Sequence, residues 1–129
     1  MKKPKRRYRK EIFKSENGLR YVLAETGDTY DLIATEQSLW LWELLAFNDI
    51  QADKKLHQGE RVYLEVKKSK SKSEFHIVKE GENLHSISQT YGVQLVKLRF
   101  KNRLETGQKV QLGQKLFLRK RKPKNYSAA

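Results

Sequence analysis

The stretch Phe75–Leu118, FHIVKEGENLHSISQTYGVQLVKLRFKNRLETGQKVQLGQKLFL, carries a complete succession of secondary-structure patterns. It opens with a β-type string, Phe75–Val78, and closes with a second one, Leu116–Leu118. Between them lie two segments with helical patterns of apolar residues: Leu84, Ile87 and Tyr91 in the first, and Val93, Leu95, Val96 and Leu98 in the second. The stretch therefore predicts the order strand, helix, helix, strand.

The same pattern occurs a second time, earlier in the chain. A shift of 54 residues aligns the earlier segment with Phe75–Leu118 without a gap. At the matched positions apolar residues face apolar residues, and glycine and asparagine recur: Tyr21 and Phe75, Gly27 and Gly81, Ile33 and Ile87, Leu41 and Leu95, Leu44 and Leu98, Asn48 and Asn102, Gly59 and Gly113, Tyr63 and Phe117, Leu64 and Leu118. Such repetition indicates two copies of one core, repeat 1 and repeat 2.

Repeat 2 resembles the LysM module, a small carbohydrate-binding domain of βααβ form. The residues that carry the resemblance follow the opening strand: Gly81, Glu82, Asn83, Leu84, Ile87, Tyr91, Gly92, Val93, Leu95, Leu98, Asn102, Leu104, Gly113, Gln114, Lys115 and Leu116. The resemblance implies an α+β fold of two small LysM-like repeats. Repeat 1 has Leu39–Trp42 where a Tyr-Gly-Val break is usual, so we expect a different turn between its helices.

The charge of the chain is strongly positive and unevenly placed. The formal net charge is +13, from 28 lysines and arginines against 15 acidic residues. Basic residues concentrate in three runs, Lys2–Lys14, Lys67–Lys72 and Arg119–Lys124. A polyanionic partner is therefore expected: nucleic acid, anionic lipid or an anionic wall polymer. No cysteine is present, so disulfides do not stabilise either repeat.

Composition predicts the domain boundaries. We expect a disordered basic arm at 1–7, repeat 1 with an N-terminal hairpin at 8–66, a solvated linker at 67–73, repeat 2 at 74–119 and a disordered basic tail at 120–129. Asn17-Gly18 lies between two strand-like runs and predicts the hairpin, Arg9–Lys14 against Leu19–Ala24, because both turn residues tolerate positive φ. The hairpin adds a third strand to repeat 1.

Short polar residues precede the predicted helices of repeat 1. Asp28 or Thr29 can accept from the open N–H groups of the first helix, and Ser38 can do so for the second, Leu39–Phe47. Trp40 and Phe47 form an apolar ridge that repeat 2 lacks. The ridge either packs against the hairpin or the other repeat, or it is an exposed aromatic face for a sugar or protein partner.

The ligand site follows from the resemblance to LysM modules. Their ligand is a glycan containing N-acetylglucosamine, such as peptidoglycan or chitin, in a shallow groove between the loop after the first strand and the loop before the last. In this sequence the corresponding residues are Gly81, Glu82, Asn83, Leu84, Leu104, Glu105 and Thr106 in repeat 2, and Gly27, Asp28, Thr29, Tyr30, Ile50, Gln51 and Ala52 in repeat 1. The glycines are also turn residues, and Asp28, Thr29 and Asn83 are also helix caps.

Catalysis and metal binding are not expected. The sequence has no G-x-S-x-G, no cysteine nucleophile, no glycine-rich phosphate loop and no pair of carboxylates across a cleft. His57, His76 and His85 are scattered, without the spacing of a metal site. No cofactor is predicted, and no apolar run approaches the length of a transmembrane helix or a signal peptide core.

The order of basic lead-in, hairpin, LysM, lysine-rich linker and LysM resembles the C-terminal part of wall-lytic N-acetylglucosaminidases of Bacteroidetes type. This resemblance implies a non-catalytic anchor that binds a parent enzyme, with an N-terminal catalytic domain, to peptidoglycan. It also implies a location in the cell envelope or outside the cell, with the export signal upstream.

Two other functions remain open from the sequence. The charge and the interleaved aromatic residues are also typical of a nucleic-acid-binding protein, whose binding would fall steeply with salt. The Trp40 and Phe47 ridge is also compatible with a protein-interaction scaffold.

Overall fold

The computed structural model describes residues 10–126. The chain divides into two compact units between Lys67 and Lys68, and each unit contains one repeat. The predicted arm at 1–7, the start of the hairpin at Arg9 and the last three residues of the tail lie outside the described residues.

Repeat 1 is a three-stranded antiparallel sheet with two helices. Its elements are β1 (Phe13–Lys14), β2 (Arg20–Leu23), α1 (Tyr30–Glu36), α2 (Leu41–Phe47) and β3 (Arg61–Tyr63), and the sheet order is β1-β2-β3. Phe13 pairs with Tyr21, and Tyr21 pairs with Tyr63 on its other side. The predicted hairpin and third strand are therefore present, although β1 is only two residues long.

The hairpin turn uses only one of its two predicted positions of positive φ. Gly18 has φ +87° and its N–H donates to the carbonyl of Ser15, while the N–H of Ser15 donates to the carbonyl of Leu19. Asn17 is absent from the positive-φ residues. The connection is thus a turn followed by a glycine bulge rather than a two-residue turn with positive φ at both positions.

Repeat 2 has the predicted order of strand, helix, helix and strand. Its elements are β4 (Phe75–Ile77), α3 (Leu84–Tyr91), α4 (Leu95–Lys101) and β5 (Lys115–Phe117), with β4 antiparallel to β5. The α+β fold of two βααβ-like units is confirmed. Each unit buries an equivalent core, and the matched apolar positions include Ile33 and Ile87, Leu44 and Leu98, and Leu64 and Leu118.

The turn between the helices has the same backbone in both repeats, contrary to expectation. Ser38 has φ +59° and Gly92, 54 positions later, has φ +66°. Ser38 is therefore a left-handed turn residue and not the predicted cap of α2, which begins at Leu41 after Trp40. The N–H of Trp40 donates to the carboxylate of Glu43 instead. A different turn was predicted because repeat 1 has no glycine at this position. Ser38 nevertheless adopts the left-handed conformation that usually favours glycine.

A buried asparagine fixes the end of the second helix to the last strand in each repeat. Asn102 donates to the carbonyls of Leu98 and Phe117, and its side-chain oxygen accepts from the N–H of Phe117 at 2.6 Å. Asn48 makes the same three bonds, to Leu44 and Tyr63. The side chain thereby pairs with backbone groups of both the second helix and the last strand in each repeat, which explains why asparagine recurs at this position.

The linker and the tail are ordered where the structure describes them. Lys67 is buried and its ammonium lies 2.8 Å from a carboxylate oxygen of Asp49, and Ser71 is buried with its N–H donating to the carbonyl of Leu118. The expectation of a solvated linker is wrong at both residues. The expectation of a disordered tail is wrong up to residue 126, since Tyr126 packs edge-on against Phe117 with ring centroids 5.2 Å apart. Lysine and arginine stems can pack while their charge is held by carbonyls or carboxylates.

The apolar ridge of repeat 1 does not behave as one surface. Phe47 is half-buried and packs against the core of its own repeat, which neither interpretation anticipated. Trp40 is half-buried at the start of α2, and the tryptophan that faces solvent is Trp42, with 68% of its surface exposed.

Candidate functional site

A shallow groove of about 540 Å³ lies at the N-terminal end of α3 in repeat 2. Three of the predicted ligand residues, Glu82, Asn83 and Leu84, form one side of it. The other lining residues come from α3, α4 and the loop before β5: His85, Leu95, Arg99, Gly107, Gln108, Lys109 and Val110. The groove has an apolar floor and a polar rim, as sugar and small-molecule sites commonly do.

The second predicted wall lies beside the groove and does not line it. Leu104 is half-buried and packs against the core of repeat 2, while Glu105 and Thr106 are exposed in the following turn. The lining begins at Gly107, one residue after the predicted segment. Gly81 lies at the turn before α3 with φ +84° and open space around its α-carbon, so its side of the turn is accessible.

The start of α3 presents a backbone donor to the groove. Asn83 caps the helix by accepting from the N–H of Ser86, and the hydroxyl of Ser86 accepts from the N–H of Asn83. The N–H of Leu84 makes no hydrogen bond among the described residues. The first N–H groups of a helix have no partner within the helix, so this donor is available to an acceptor in the groove.

A chain of side chains orients Glu82 at the groove edge. The ring of His76 joins Tyr91 to Glu82, with Nδ1 2.7 Å from the Tyr91 hydroxyl and Nε2 2.8 Å from Oε1 of Glu82. The same carboxylate oxygen accepts from the N–H of Lys79 at 2.7 Å. The hydrogen bond from His76, followed by that from Lys79, lowers the pKa of Glu82. Because an ionised carboxylate only accepts, Nε2 of His76 carries the proton.

No local pattern in the sequence predicts this arrangement. His76 lies on β4 and Tyr91 at the end of α3, and only the fold brings them together around Glu82. Within residues 10–126 no group of three or more His, Cys, Asp or Glu side chains could hold a metal ion.

The equivalent region of repeat 1 is closed by its own chain. The carboxylate of Asp53 accepts from the N–H of Tyr30 at 2.8 Å, so the donor that Leu84 leaves open in repeat 2 is satisfied here. Thr29 also pairs with Lys55 in an isolated antiparallel bridge, and the N–H of Leu56 donates to the carbonyl of Asp28. Asp53 corresponds to Gly107 in the 54-residue shift, and glycine has no carboxylate to offer α3.

The predicted site residues of repeat 1 therefore have other partners or positions. Thr29 caps α1 by accepting from the N–H of Leu32, and Tyr30 is buried in the core with 2% of its surface exposed. Burial raises the pKa of Tyr30 well above its usual range. Ile50 is half-buried against the core, and Gly27, Gln51 and Ala52 are exposed.

Asp28 belongs to a buried ion cluster that sequence reasoning missed. The ammonium of Lys10 lies 2.7 Å from Asp28 and 3.7 Å from both Glu25 and Glu36, and the side chain of Glu36 is fully buried. Burial alone would lower the pKa of Lys10, but the hydrogen bond to Asp28 and the charges of the three carboxylates together raise it. Asp28 thus anchors the segment that precedes β1.

The chain matches known proteins in two comparisons. The LysM domain family matches residues 25–64 and 76–119. Among solved structures, the Bacillus cereus spore cortex-lytic enzyme SleL is similar, with 25% identity and a TM-score of 0.35. The similarity covers 79% of this chain and 23% of the SleL chain, so this chain spans about a quarter of that enzyme's length.

No curated protein sequence matches the chain. In the part of the chain that the structure describes, the helices are all too short or too polar to span a bilayer. Two matches to one family cover well over half of the residues, each on a unit with the βααβ order described above. The chain belongs to the LysM domain family, with one domain in each repeat.

Proposed function

We propose that repeat 2 binds a glycan containing N-acetylglucosamine in the groove at the start of α3. LysM domains are in general modules that bind peptidoglycan and other N-acetylglucosamine glycans. The observation that carries the proposal is the open groove of repeat 2, with the unbonded N–H of Leu84 and an apolar floor.

The groove offers each kind of contact that an N-acetylated sugar needs. The N–H of Leu84 suits the acetyl carbonyl, because that carbonyl is a strong acceptor and the donor lies at the positive end of a helix. Leu95 and Val110 provide apolar surface for the acetyl methyl group or for the C–H face of the ring. Oε2 of Glu82 can accept from a sugar hydroxyl, since His76 and Lys79 occupy Oε1, and the side-chain amide nitrogen of Gln108 can donate to one, since its oxygen accepts from the N–H of Glu105. Gly81, Leu104, Glu105 and Thr106 flank the groove for neighbouring sugar units.

Repeat 1 serves mainly as a structural partner in this proposal. Its equivalent donor is satisfied by Asp53, and Asp28 is held by Lys10. Binding at Gly27, Thr29, Ile50, Gln51 or Ala52 would require the Thr29–Lys55 bridge to open. The difference between the repeats makes repeat 2 the glycan-binding domain.

The role in the cell follows from the proposed ligand. The chain anchors a parent protein to peptidoglycan in the cell envelope or outside the cell. An N-terminal glucosaminidase domain in the parent chain would cut the glycan that repeat 2 holds. The resemblance of the domain order to wall-lytic glucosaminidases supports this parent.

An NMR titration of the isotope-labelled chain with N-acetylglucosamine oligomers tests the proposal. Amide shifts are expected at residues 82–84 and 107–110, with little change at high salt, because the contacts are hydrogen bonds and apolar packing. Glucose oligomers of the same length and β-1,4 linkage are the control, and they should shift the same amides far less. Absence of shifts in repeat 2, or equal shifts with both oligomers, would contradict the proposal.

A further inference from the structure

The two repeats carry opposite charge. Residues 10–67 contain 7 lysines and arginines against 11 acidic residues, whereas residues 68–126 contain 15 against 4. Repeat 1 pairs Lys10, Arg20 and Lys67 with carboxylates. Among the described residues, no lysine or arginine of 68–126 lies within 4.0 Å of a carboxylate. The cations of repeat 2 therefore lack acidic partners within their own domain.

The fold brings together cations from three segments, the linker, α4 and the tail, at the C-terminal end of α4. The ammonium of Lys101, on α4, donates to the carbonyl of Ser69 in the linker. The N–H of Lys122, in the tail, donates to the carbonyl of Lys101, and Nε of Arg121 donates to the carbonyl of Phe100 at 3.0 Å. What the sequence presents as a linker and a tail is therefore part of one folded surface.

This surface holds like charges close together. Burial first, and then the neighbouring charges of Lys97 and Lys70, lower the pKa of Lys101. The carbonyls at the end of α4 offset only part of the repulsion, since a helix end contributes about half an elementary charge. Like charges that a fold holds together without acidic partners form a field that attracts a polyanion.

The choice of polyanion rests on the proposed function. Phe100 is exposed at 57% and the guanidinium of Arg121 lies 3.9 Å over its ring, a pair on which a base could also stack. A domain that binds peptidoglycan lies beside the phosphodiester polymers of a cell wall, which favours these over a nucleic acid. Lys70, Lys97, Lys101 and Arg121 also lie outside the lining of the glycan groove. We propose that the exposed cations Lys70, Lys97 and Arg121, gathered around the buried Lys101, form a second binding site on repeat 2, for a linear phosphodiester polymer of the kind attached to cell walls.

Two double variants of the full chain separate this site from general charge attraction. Lys70→Gln with Lys97→Gln removes two exposed cations of the site, and Lys68→Gln with Lys72→Gln removes two exposed cations outside it. With poly(glycerol phosphate) as the probe, the first variant should bind about tenfold more weakly, and the slope of log affinity against log salt should fall by about 1.4, or about 0.7 for each lost contact. The control should lose about twofold or less.

Equal losses in the two variants would overturn the proposal, because they would show attraction to net charge alone. Single-stranded DNA of equal charge is the second probe. Tighter binding of the DNA, with the same dependence on Lys70 and Lys97, would overturn the assignment to a wall polymer and indicate a nucleic-acid site. Titration of N-acetylglucosamine oligomers into both variants should give unchanged affinity, so failure here is distinct from failure of the proposed glycan groove.

Discussion

Repeat 1 and repeat 2 share one order of secondary-structure elements. They differ in whether the first backbone N–H of the first helix has a hydrogen-bond partner. Asp53 satisfies the N–H of Tyr30 in repeat 1, and Gly107 leaves the N–H of Leu84 open in repeat 2. Repeat 1 is acidic and pairs lysines with carboxylates, whereas repeat 2 is basic and, among the described residues, none of its lysines or arginines lies within 4.0 Å of a carboxylate. The comparison shows that the repeated core specifies the fold, and that loop residues outside the core determine whether the start of the first helix is open or covered.

The largest expected effect concerns the ion cluster that only repeat 1 contains. Lys10→Met leaves the buried carboxylate of Asp28 without the ammonium that lies 2.7 Å from it, so the free energy of unfolding of repeat 1 should fall by about 3 kcal/mol. Both tryptophans of the chain, Trp40 and Trp42, lie in repeat 1. Tryptophan fluorescence during urea unfolding therefore follows repeat 1, and the amide signals of residues 84–118 follow repeat 2.

Lys14→Met is the matched control, because Lys14 is exposed on the adjacent strand β1. It should change the unfolding free energy by about 0.5 kcal/mol or less. A similar small effect of Lys10→Met would show that the cluster contributes little to repeat 1.

The groove difference predicts the next effect. Gly107→Asp places in repeat 2 the carboxylate that closes repeat 1, and it should weaken binding of N-acetylglucosamine oligomers about tenfold, or about 1.4 kcal/mol, by occupying the N–H of Leu84. Isothermal titration calorimetry measures the change. Gly107 has φ +85°, so any side chain there adds backbone strain.

Gly107→Ala carries the same strain without the carboxylate and is the control. Its affinity should stay within about twofold of the parent chain, because no atom lies within 4 Å of the added carbon. Equal weakening by alanine and aspartate would mean that loop conformation, and not the open donor, determines binding.

The core and the element order could be predicted from the sequence, because apolar periodicity is a local signal and the same pattern occurs in both repeats. Ile87 and Leu98, for example, are fully buried where the pattern placed them. The pairing of Lys10 with Glu36 and of His76 with Tyr91 could not be predicted, because each pair joins residues that are distant in the chain and polar in type. A run of basic residues predicts solvated side chains, because the sequence does not show which backbone carbonyls they will meet. The ammonium of Lys101, for example, donates to the carbonyl of Ser69.

The candidate site was predicted on one side only. The segment before α3 is a turn and a cap, which have short-range signals, and three of its four residues line the groove. The opposite wall lies in a loop without regular structure, where the resemblance placed it at Leu104–Thr106 and the structure places it at Gly107–Val110. Loop conformation depends on distant contacts and carries little local pattern.

The smallest expected effect is a difference in pH dependence between the repeats. The folded-state pKa of Glu82 lies below its unfolded value, so its contribution to the stability of repeat 2 is present above the ordinary glutamate pKa and is lost as pH falls through the lower folded value. The pKa values of Lys10 and Tyr30 lie above their unfolded values, so their contribution to repeat 1 is present below pH 10 and is lost as pH rises.

Mild acid should therefore weaken repeat 2, and alkali should weaken repeat 1. Urea unfolding between pH 3 and pH 7, followed by the amides of residues 84–118, measures the acid effect. Glu82→Gln removes the titrating group and should flatten this dependence while repeat 1 keeps its own profile. If the acid dependence of repeat 2 survives the substitution, the hydrogen bonds from His76 and Lys79 to Glu82 are not its cause.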